Sequence, residues 1–306
     1  MEIITAPINN LPKIVAGIGF FDGVHLGHQS LINEIKSTAA EECASSALVT
    51  FRRHPRSVLN SEYRPQLLNL FSEKMQHLSQ TGIDYVIALD FDIAMSKMSS
   101  YDFIKYLRDK YNLAGLYIGY DHRFGHNRSD AFEDYQRYCE ELGVKIFRAG
   151  VALAGTTPIS SSVIRRFLKE GNISVVNQML SYRYLLSGKV VSGYGVGRTI
   201  GFKTANIEID DLDKLIPGNG VYAVYVKMSE DLIYKGMMNI GNRPNVHDNI
   251  ERNIEVHIFD FEGELYGKEI EILFEKFMRP ERKMSGLEEL KSQLSEDREL
   301  AIEILK

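Results

Sequence analysis

A change of texture near Ser187 constrains this chain more than any other feature. From residue 14 to about 150, short apolar runs alternate with segments of helical spacing. The runs are Ile14-Val15-Ala16, Ala47-Leu48-Val49-Thr50-Phe51, Tyr85-Val86-Ile87-Ala88-Leu89, Gly115-Leu116-Tyr117-Ile118-Gly119 and Val144-Lys145-Ile146-Phe147. Ser72 to Gln80, Ser100 to Lys110 and Ala131 to Leu142 read as helices between them. Apolar strands alternating with helices predict βαβ units, and so an α/β domain with a parallel sheet covered by helices on both faces. Beyond Ser187 the helical spacing stops, and strand runs follow over 188–191, 205–209, 221–226, 235–240, 254–259 and 269–274, divided by Gly, Asn and Asp. Short strands with tight turns predict a small β-barrel. A last helix over 286–306 carries Leu287, Leu290, Leu294 and Ile302 on one side and is expected to cap that barrel. The domain boundary is placed between residues 184 and 185, giving domains 1–184 and 185–306.

A length of 306 residues accommodates about two domains, each with its own core. The formal charge of −5 and the pI of about 6.0 leave no basic footprint for nucleic acid. No run of about 18 apolar residues reads as a membrane span, so neither nucleic acid nor a membrane is an expected partner. Met1 to Pro7 lack the basic-then-apolar layout of a signal peptide, and Cys43 and Cys139 make no disulfide framework. The expected compartment is a reducing cytoplasm. Nothing in the sequence sets an oligomeric state, and a homo-oligomer is compatible with it.

The first strand closes in Gly17-Ile18-Gly19-Phe20-Phe21-Asp22-Gly23-Val24-His25-Leu26-Gly27-His28, and helical spacing resumes from Gln29 to Ile35. His25 and His28 thus stand where a helix begins, where free backbone N–H groups and the helix dipole favour an anion. Gly19, Gly23 and Gly27 let a ligand approach the backbone, and the corner after a strand is where α/β sheets bind ligands. With Asp22 the corner reads as a triphosphate site, although no Gly-Lys-Ser/Thr makes it a Walker loop. A purely structural histidine pair and a half-formed zinc site are the alternatives. A second locus, Thr156 to Arg166, sets Ser160 and Ser161 at a helix start with Arg165 one turn inside. Hydroxyl donors and a guanidinium fork suit phosphoryl oxygens and would clamp one triphosphate from the opposite side. Ordinary capping with a solvated arginine is the alternative there.

These residues, with Thr50-Phe51, His54-Pro55, the loop Gly119-x-Asp121-x-Arg123-Phe124-Gly125 and Ile159-Ser160-Ser161-Ser162-x-Ile164-Arg165, resemble the bacterial bifunctional riboflavin kinase/FMN adenylyltransferase (FAD synthetase) family. The resemblance continues through Gly197-Arg198-x-x-Gly201-Phe202-x-Thr204-Ala205-Asn206, Pro217-x-x-Gly220-Val221-Tyr222, Asn239-Ile240-Gly241-x-Arg243-Pro244, Glu255-x-His257-x-x-Asp260 and Tyr266-Gly267. It implies a Rossmann-like nucleotidyltransferase domain over 1–184 that transfers AMP from ATP to FMN and releases pyrophosphate. There it implies His25 and His28 as catalytic groups at the triphosphate, with Arg165, Ser160 and Ser161 on the outer phosphates. Gly19, Asp22 and Gly23 would belong to the ATP site, Gly119 and Asp121 to its ribose, and His54, Arg123 and Phe124 to the flavin.

For 185–306 the resemblance implies a riboflavin kinase barrel that phosphorylates the 5′-hydroxyl with ATP. Gly195, Gly197 and Arg198 would lie near the nucleotide, and Arg279 near the flavin or the nucleotide. Thr204 and Asn206 offer the hard neutral oxygens that Mg²⁺ accepts. Glu255, a lone carboxylate in an apolar strand, is the candidate general base, with the polar face of an edge strand as the alternative. ATP is then the co-substrate, and riboflavin, FMN and FAD are the other small-molecule partners. The chain departs from the family pattern at Phe20 for Asn, Arg53 for Pro, His122 for Phe, Lys203 for Pro and Asn245 for Thr. A proline in place of Lys203 would fix the backbone that presents Thr204. Two further readings are one active half only and a flavin-binding regulatory protein without catalysis; retention of His25, His28, Arg165 and Glu255 favours catalysis in both halves.

Overall fold

The computed structural model describes the chain except for residues 120–123, 127–129, 151–152, 155–156, 193–199 and 245–249. Backbone packing divides it into two compact units, Met1–Ser161 and Ser162–Lys306. That division falls earlier in the chain than the boundary placed between 184 and 185.

In the first unit, β1 (Glu2–Ile4), β2 (Ile14–Ile18), β3 (Ser45–Phe51), β4 (Tyr85–Leu89), β5 (Leu113–Ile118) and β6 (Lys145–Arg148) form one parallel sheet in the order β1-β4-β3-β2-β5-β6. The helices are α1 (Leu26–Glu41), α2 (Pro55–Leu59), α3 (Phe71–Ser79), α4 (Ile93–Ser96), α5 (Ser100–Tyr111) and α6 (Phe132–Leu142). All five residues of β2 are buried, and the strand's period of two sorts them. Ile14, Ala16 and Ile18 join Ile104 and Leu107 of α5 and Tyr135 of α6, whereas Val15 joins Ile32 and Ile35 of α1 and Leu78 of α3. Helices therefore cover both faces, as continuous apolar strands require. Capping sets their ends: the Ser99 side chain accepts from the Asp102 N–H at the start of α5, and left-handed Asn112 (φ 54°) closes it. A two-residue pair, β7 (Leu153–Ala154) with β8 (Thr157–Pro158), precedes the end of this unit. Because β3 and β5 flank β2 on opposite sides, the strand order reverses at β2 and β5. Beyond the carboxyl ends of strands at such a reversal, α/β sheets bind ligands. The glycine corner follows β2 there, and Gly119 follows β5.

In the second unit, β9 (Leu185–Val191), β10 (Ala205–Glu208), β11 (Gly220–Ser229), β12 (Leu232–Pro244), β13 (Ile250–Ile258) and β14 (Glu269–Arg279) close an antiparallel barrel in the order β10-β13-β12-β11-β14-β9. Two helices before it, α7 (Ser161–Lys169) and α8 (Ile173–Leu180), pack against it, which explains where the packing division falls. The Gly218 N–H donates to the Leu168 carbonyl at 3.0 Å, and the Asn177 amide donates to the Phe274 carbonyl at 2.8 Å while accepting from the Tyr184 N–H at 2.9 Å. A final helix, α9 (Leu287–Ile304), seals part of the barrel wall, where Leu294, Ala301 and Leu305 meet Ala223 and Met237. Its buried stripe is not the one expected from leucine and isoleucine spacing, since Leu287 is 55 % and Ile302 39 % exposed. Ala301, too small to stand out in a hydrophobic count, lies at the contact. Among the described residues no helix is long and apolar enough to cross a membrane.

Candidate active sites

The glycine corner is a strained turn that ends in a helix cap. Phe21 (54°), Gly23 (86°) and Val24 (37°) all have positive φ within four residues, an uncommon conformation for β-branched Val24. His25 is the N-cap of α1, buried, and its Nδ1 accepts from the His28 N–H at 3.3 Å. A ring nitrogen that accepts carries no proton, so the neutral His25 ring holds its proton on Nε2 and offers a donor there. The His25 and His28 rings stack at 3.7 Å and 16°, which aligns both at the first turn of the helix. Asp22 is also buried, and its carboxylate takes the Leu68 N–H on both oxygens at 3.0 Å and the Asn69 N–H at 3.1 Å. It thus braces the corner against residues 68–69.

The serine locus reaches the same corner. The Ser161 hydroxyl donates to the Asp22 carbonyl at 2.9 Å, and a Cβ on Gly27 would come within 3.2 Å of the Ile159 carbonyl. Ser160 adjoins this contact, and Arg165 lies four residues further along α7. Beside the corner opens a cavity of about 750 Å³ whose walls include Gly19, Phe20, His54 and Phe124. His54 caps α2, accepting from the Arg56 N–H at 3.2 Å, and its ring meets Phe20 edge-on at 4.9 Å. Phe124 is held by Tyr135, whose hydroxyl accepts from its N–H at 3.1 Å and whose ring stacks on it at 4.7 Å. Gly125 follows at φ 90°, where a Cβ would lie 2.9 Å from the Ser100 nitrogen, so only glycine lets this segment lie against α5.

The barrel presents a different arrangement. Asn206 of β10 and Asn239 of β12 both stand directly opposite Glu255 of β13, and directly opposed residues of antiparallel strands share a face. The Asn253 amide donates to Glu255 Oε1 at 2.8 Å, and the Thr204 hydroxyl donates to Oε2 at 3.3 Å. Glu255 therefore stands between two flanking strands, not on an edge, on the barrel face that also carries Met237 and packs beneath α9. A cavity of about 300 Å³ joins Thr204, Asn239, Glu255 and Arg279, and a second of about 230 Å³ shares Thr204 with Lys203 and Tyr266. The His257 Nδ1–H donates to the Lys203 carbonyl at 2.7 Å, a tie that fixes the backbone before Thr204 where a proline would have restricted it. Burial, the largest effect on His257, lowers its pKa and keeps it neutral in that role. Arg279 lines the cavity but directs its fork at Asp297 of α9, Nε to Oδ1 at 2.8 Å and Nη2 to Oδ2 at 2.7 Å. Its main contact is a pin between β14 and the final helix.

Asp121, Arg123, Gly195, Gly197 and Arg198, together with His122 and Asn245, lie outside the described residues. Asn239 and Asn253 were given no site role from sequence; the ladder register brings Asn239 to Glu255, and the strand's period of two brings Asn253 there.

The chain thus joins an α/β unit whose glycine corner carries paired histidines at a helix cap to a barrel with a carboxylate among amides and a hydroxyl, two candidate sites with groups of the kind that phosphoryl- and nucleotidyl-transfer enzymes use. Residues 8–163 match the FAD synthetase family and residues 180–305 the riboflavin kinase family. A Listeria monocytogenes protein named bifunctional riboflavin kinase/FMN adenylyltransferase is 35% identical over 297 residues, 96% of this chain and 93% of that protein. The Escherichia coli protein of the same name is 33% identical over 288 residues, 92% of this chain and 90% of its own length. A solved Streptococcus pneumoniae structure, described as a macrolide-efflux protein, shares the fold with a TM-score of 0.86 at 26% identity, covering 98% of each chain. The chain belongs to the bifunctional riboflavin kinase/FMN adenylyltransferase family. It phosphorylates riboflavin to FMN and adenylylates FMN to FAD, with ATP as co-substrate of both reactions.

Proposed function

We propose that the two reactions are divided between two sets of residues, the adenylyl transfer at the glycine corner and its cavity and the phosphorylation at Glu255. The single observation that carries this division is the placement of Glu255. Asn253 and Thr204 donate to its two oxygens, one each, which fixes the orientation of the carboxylate as an acceptor. In this reading it takes the proton of the riboflavin 5′-hydroxyl as that oxygen attacks the γ-phosphorus of ATP, and ADP leaves. The Thr204 hydroxyl, having given its hydrogen to Glu255, keeps its lone pairs as acceptors. With the Asn206 side-chain oxygen it makes an all-oxygen donor set that fits Mg²⁺, and Thr204 and Asn206 would hold that ion. When bound, Mg²⁺ supplies charge neutralisation of the phosphate oxygens. Gly195, Gly197 and Arg198 are assigned to the nucleotide by resemblance.

In the adenylyl half, a phosphate oxygen of FMN attacks the α-phosphorus, the bond to the β-phosphate breaks and pyrophosphate leaves, with no proton to move. Such a transfer needs positioning and charge stabilisation. The Nε2–H of His25, with the adjacent His28, is assigned to the oxygens of the triphosphate. Ser160, Ser161 and Arg165 are assigned to its outer phosphates, and Gly19 and Gly23 to the approach of the backbone. Asp22 serves this site as a brace. Gly119 and Asp121 are assigned to the ribose, and His54, Phe124 and Arg123 to the flavin in the cavity of about 750 Å³. On this functional division the adenylyltransferase domain runs to residue 184 and the kinase domain from 185. Two free cysteines fit a reducing cytoplasm, and a homo-oligomer is compatible with the reading.

The test follows FMN and FAD by chromatography when the full chain is given riboflavin, ATP and Mg²⁺. FMN should rise first and FAD should replace it. Replacing His28 by Ala should leave FMN to accumulate; FAD formation at the wild-type rate in that variant would remove the histidines from the proposal.

A further inference from the structure

We propose that Lys74 is a positioning residue of the adenylyl-transfer half that holds Phe20 as the inner wall of the flavin cavity, an inference that rests on the assignment of that cavity to FMN. Lys74 sits on α3 and is 2 % exposed. Its Nζ donates to the Phe20 carbonyl at 3.0 Å, to Thr50 Oγ1 at 3.1 Å and to the Phe51 carbonyl at 3.2 Å, which occupies all three of its protons. Thr50 in turn donates to the Phe20 carbonyl at 3.1 Å. One ammonium thus ties together the carboxyl ends of β2 and β3, the two strands from which the cavity wall begins. The same Nζ lies 4.2 Å from the centroid of the Phe20 ring, and that ring meets His54 edge-on at 4.9 Å.

A charge at such depth is costly unless its surroundings use it. No ion pair among the described residues reaches Lys74. Backbone dipoles and two aromatic faces, Phe20 and Phe71 at 5.6 Å, are what stabilise it. The other charged or titratable groups around it are Asp22, which favours the ammonium, Glu73, which caps α3 through the Leu70 N–H, Arg52 on the far aromatic Phe71, and His54 across Phe20. Burial lowers the Lys74 pKa to about 8. Loss of its proton removes one donor and the cation beneath Phe20, so the ring loosens as pH passes that value. What loosens is the Phe20 ring that faces the cavity, not the His25–His28 end of the corner assigned to the triphosphate. The effect therefore falls on the KM for FMN and leaves kcat in place.

The experiment measures FMN adenylylation by the full chain from about pH 6.5 to about pH 9.5, across the titration of a lysine lowered in this way. It uses the wild type and the variants Lys74→Met, Phe20→Leu and Met95→Trp. In the wild type the KM for FMN should rise through about pH 8. Lys74→Met should raise that KM about tenfold at neutral pH, with kcat within about twofold, and should flatten the pH dependence. Phe20→Leu, which keeps the ammonium and its oxygens, should do the same; if Lys74→Met fails to fold by its thermal melt, Phe20→Leu decides alone. A wild-type KM and pH profile in Phe20→Leu, or a loss of kcat at unchanged KM, overturns the inference. Met95→Trp fills the cavity itself. If it leaves the KM for FMN unchanged, the cavity is not the flavin site and the assignment beneath this inference fails; if it raises KM while the other two variants behave as wild type, only the role of Lys74 fails.

Discussion

The two proposed centres place their polar groups by opposite means. In the α/β unit the backbone does the work: a helix start carries His25, the Asp22 carboxylate is taken up by two backbone N–H groups, and the buried Lys74 points at carbonyls. In the barrel, side chains on neighbouring strands converge, and Glu255 is held by a hydroxyl and an amide. The difference follows from the folds. A parallel sheet ends in loops and helix starts, where unpaired backbone groups gather, whereas a closed barrel pairs its backbone all round and leaves side chains to build a site on its wall. A substitution in the first unit should therefore act mainly through the loop it supports, and one in the second mainly through the group it removes.

The sharpest break in that comparison is Glu255→Gln, which should lower the riboflavin kinase kcat by about 10²- to 10⁴-fold and leave FMN adenylylation intact, each followed by product chromatography. His25→Ala should lower adenylylation by about 10²- to 10³-fold through loss of a donor to the developing charge, and should spare the kinase. Asp297→Asn leaves Arg279 without its carboxylate and should cost the barrel unit about 3 kcal/mol in urea unfolding. Asp22→Asn weakens the acceptor of two backbone N–H groups and should cost the α/β unit about 2 kcal/mol by the same measurement. The smallest effect concerns pH. Lys74 titrates at about 8 in the folded chain, below the ordinary lysine value, so above pH 8 the unfolded chain keeps a proton that the folded chain has released. Its contribution to stability is complete above the unfolded value and is lost as pH falls through 8. Between pH 7 and pH 9 the wild type should thus gain about 1 kcal/mol relative to Lys74→Met, read from urea midpoints.

Much of the fold was legible because burial on both faces leaves a continuous apolar signature, as in β2, β4 and β5. β1 was not: it has three residues, two of them exposed, and exists through its register with β4. The face of α9 was misread because Ala301 and Leu305, not Leu287 and Ile302, meet the barrel. Helices α7 and α8 carry no local sign that they pack with the barrel; Asn177, which bonds both Phe274 and Tyr184, is the residue that decides it. In the sites, His25 and Glu255 stood out by their local setting. Asn239 and Asn253 did not, since an asparagine in a strand acquires meaning only from the side chains on its own face, across the ladder for Asn239 and two residues along the strand for Asn253. Lys74 carries no local sign in the sequence that sets it apart from other lysines, and only the structure shows it turned inward.

The most direct test of two separate centres is complementation in solution. Folded His28→Ala and Glu255→Gln are each given riboflavin, ATP and Mg²⁺, alone and then mixed in equal amounts. The division of labour predicts FMN without FAD from the first, neither product from the second, and FAD from the mixture. A mixture that yields FMN but no FAD, or either folded variant that has lost both activities when riboflavin and FMN are supplied separately, would contradict it.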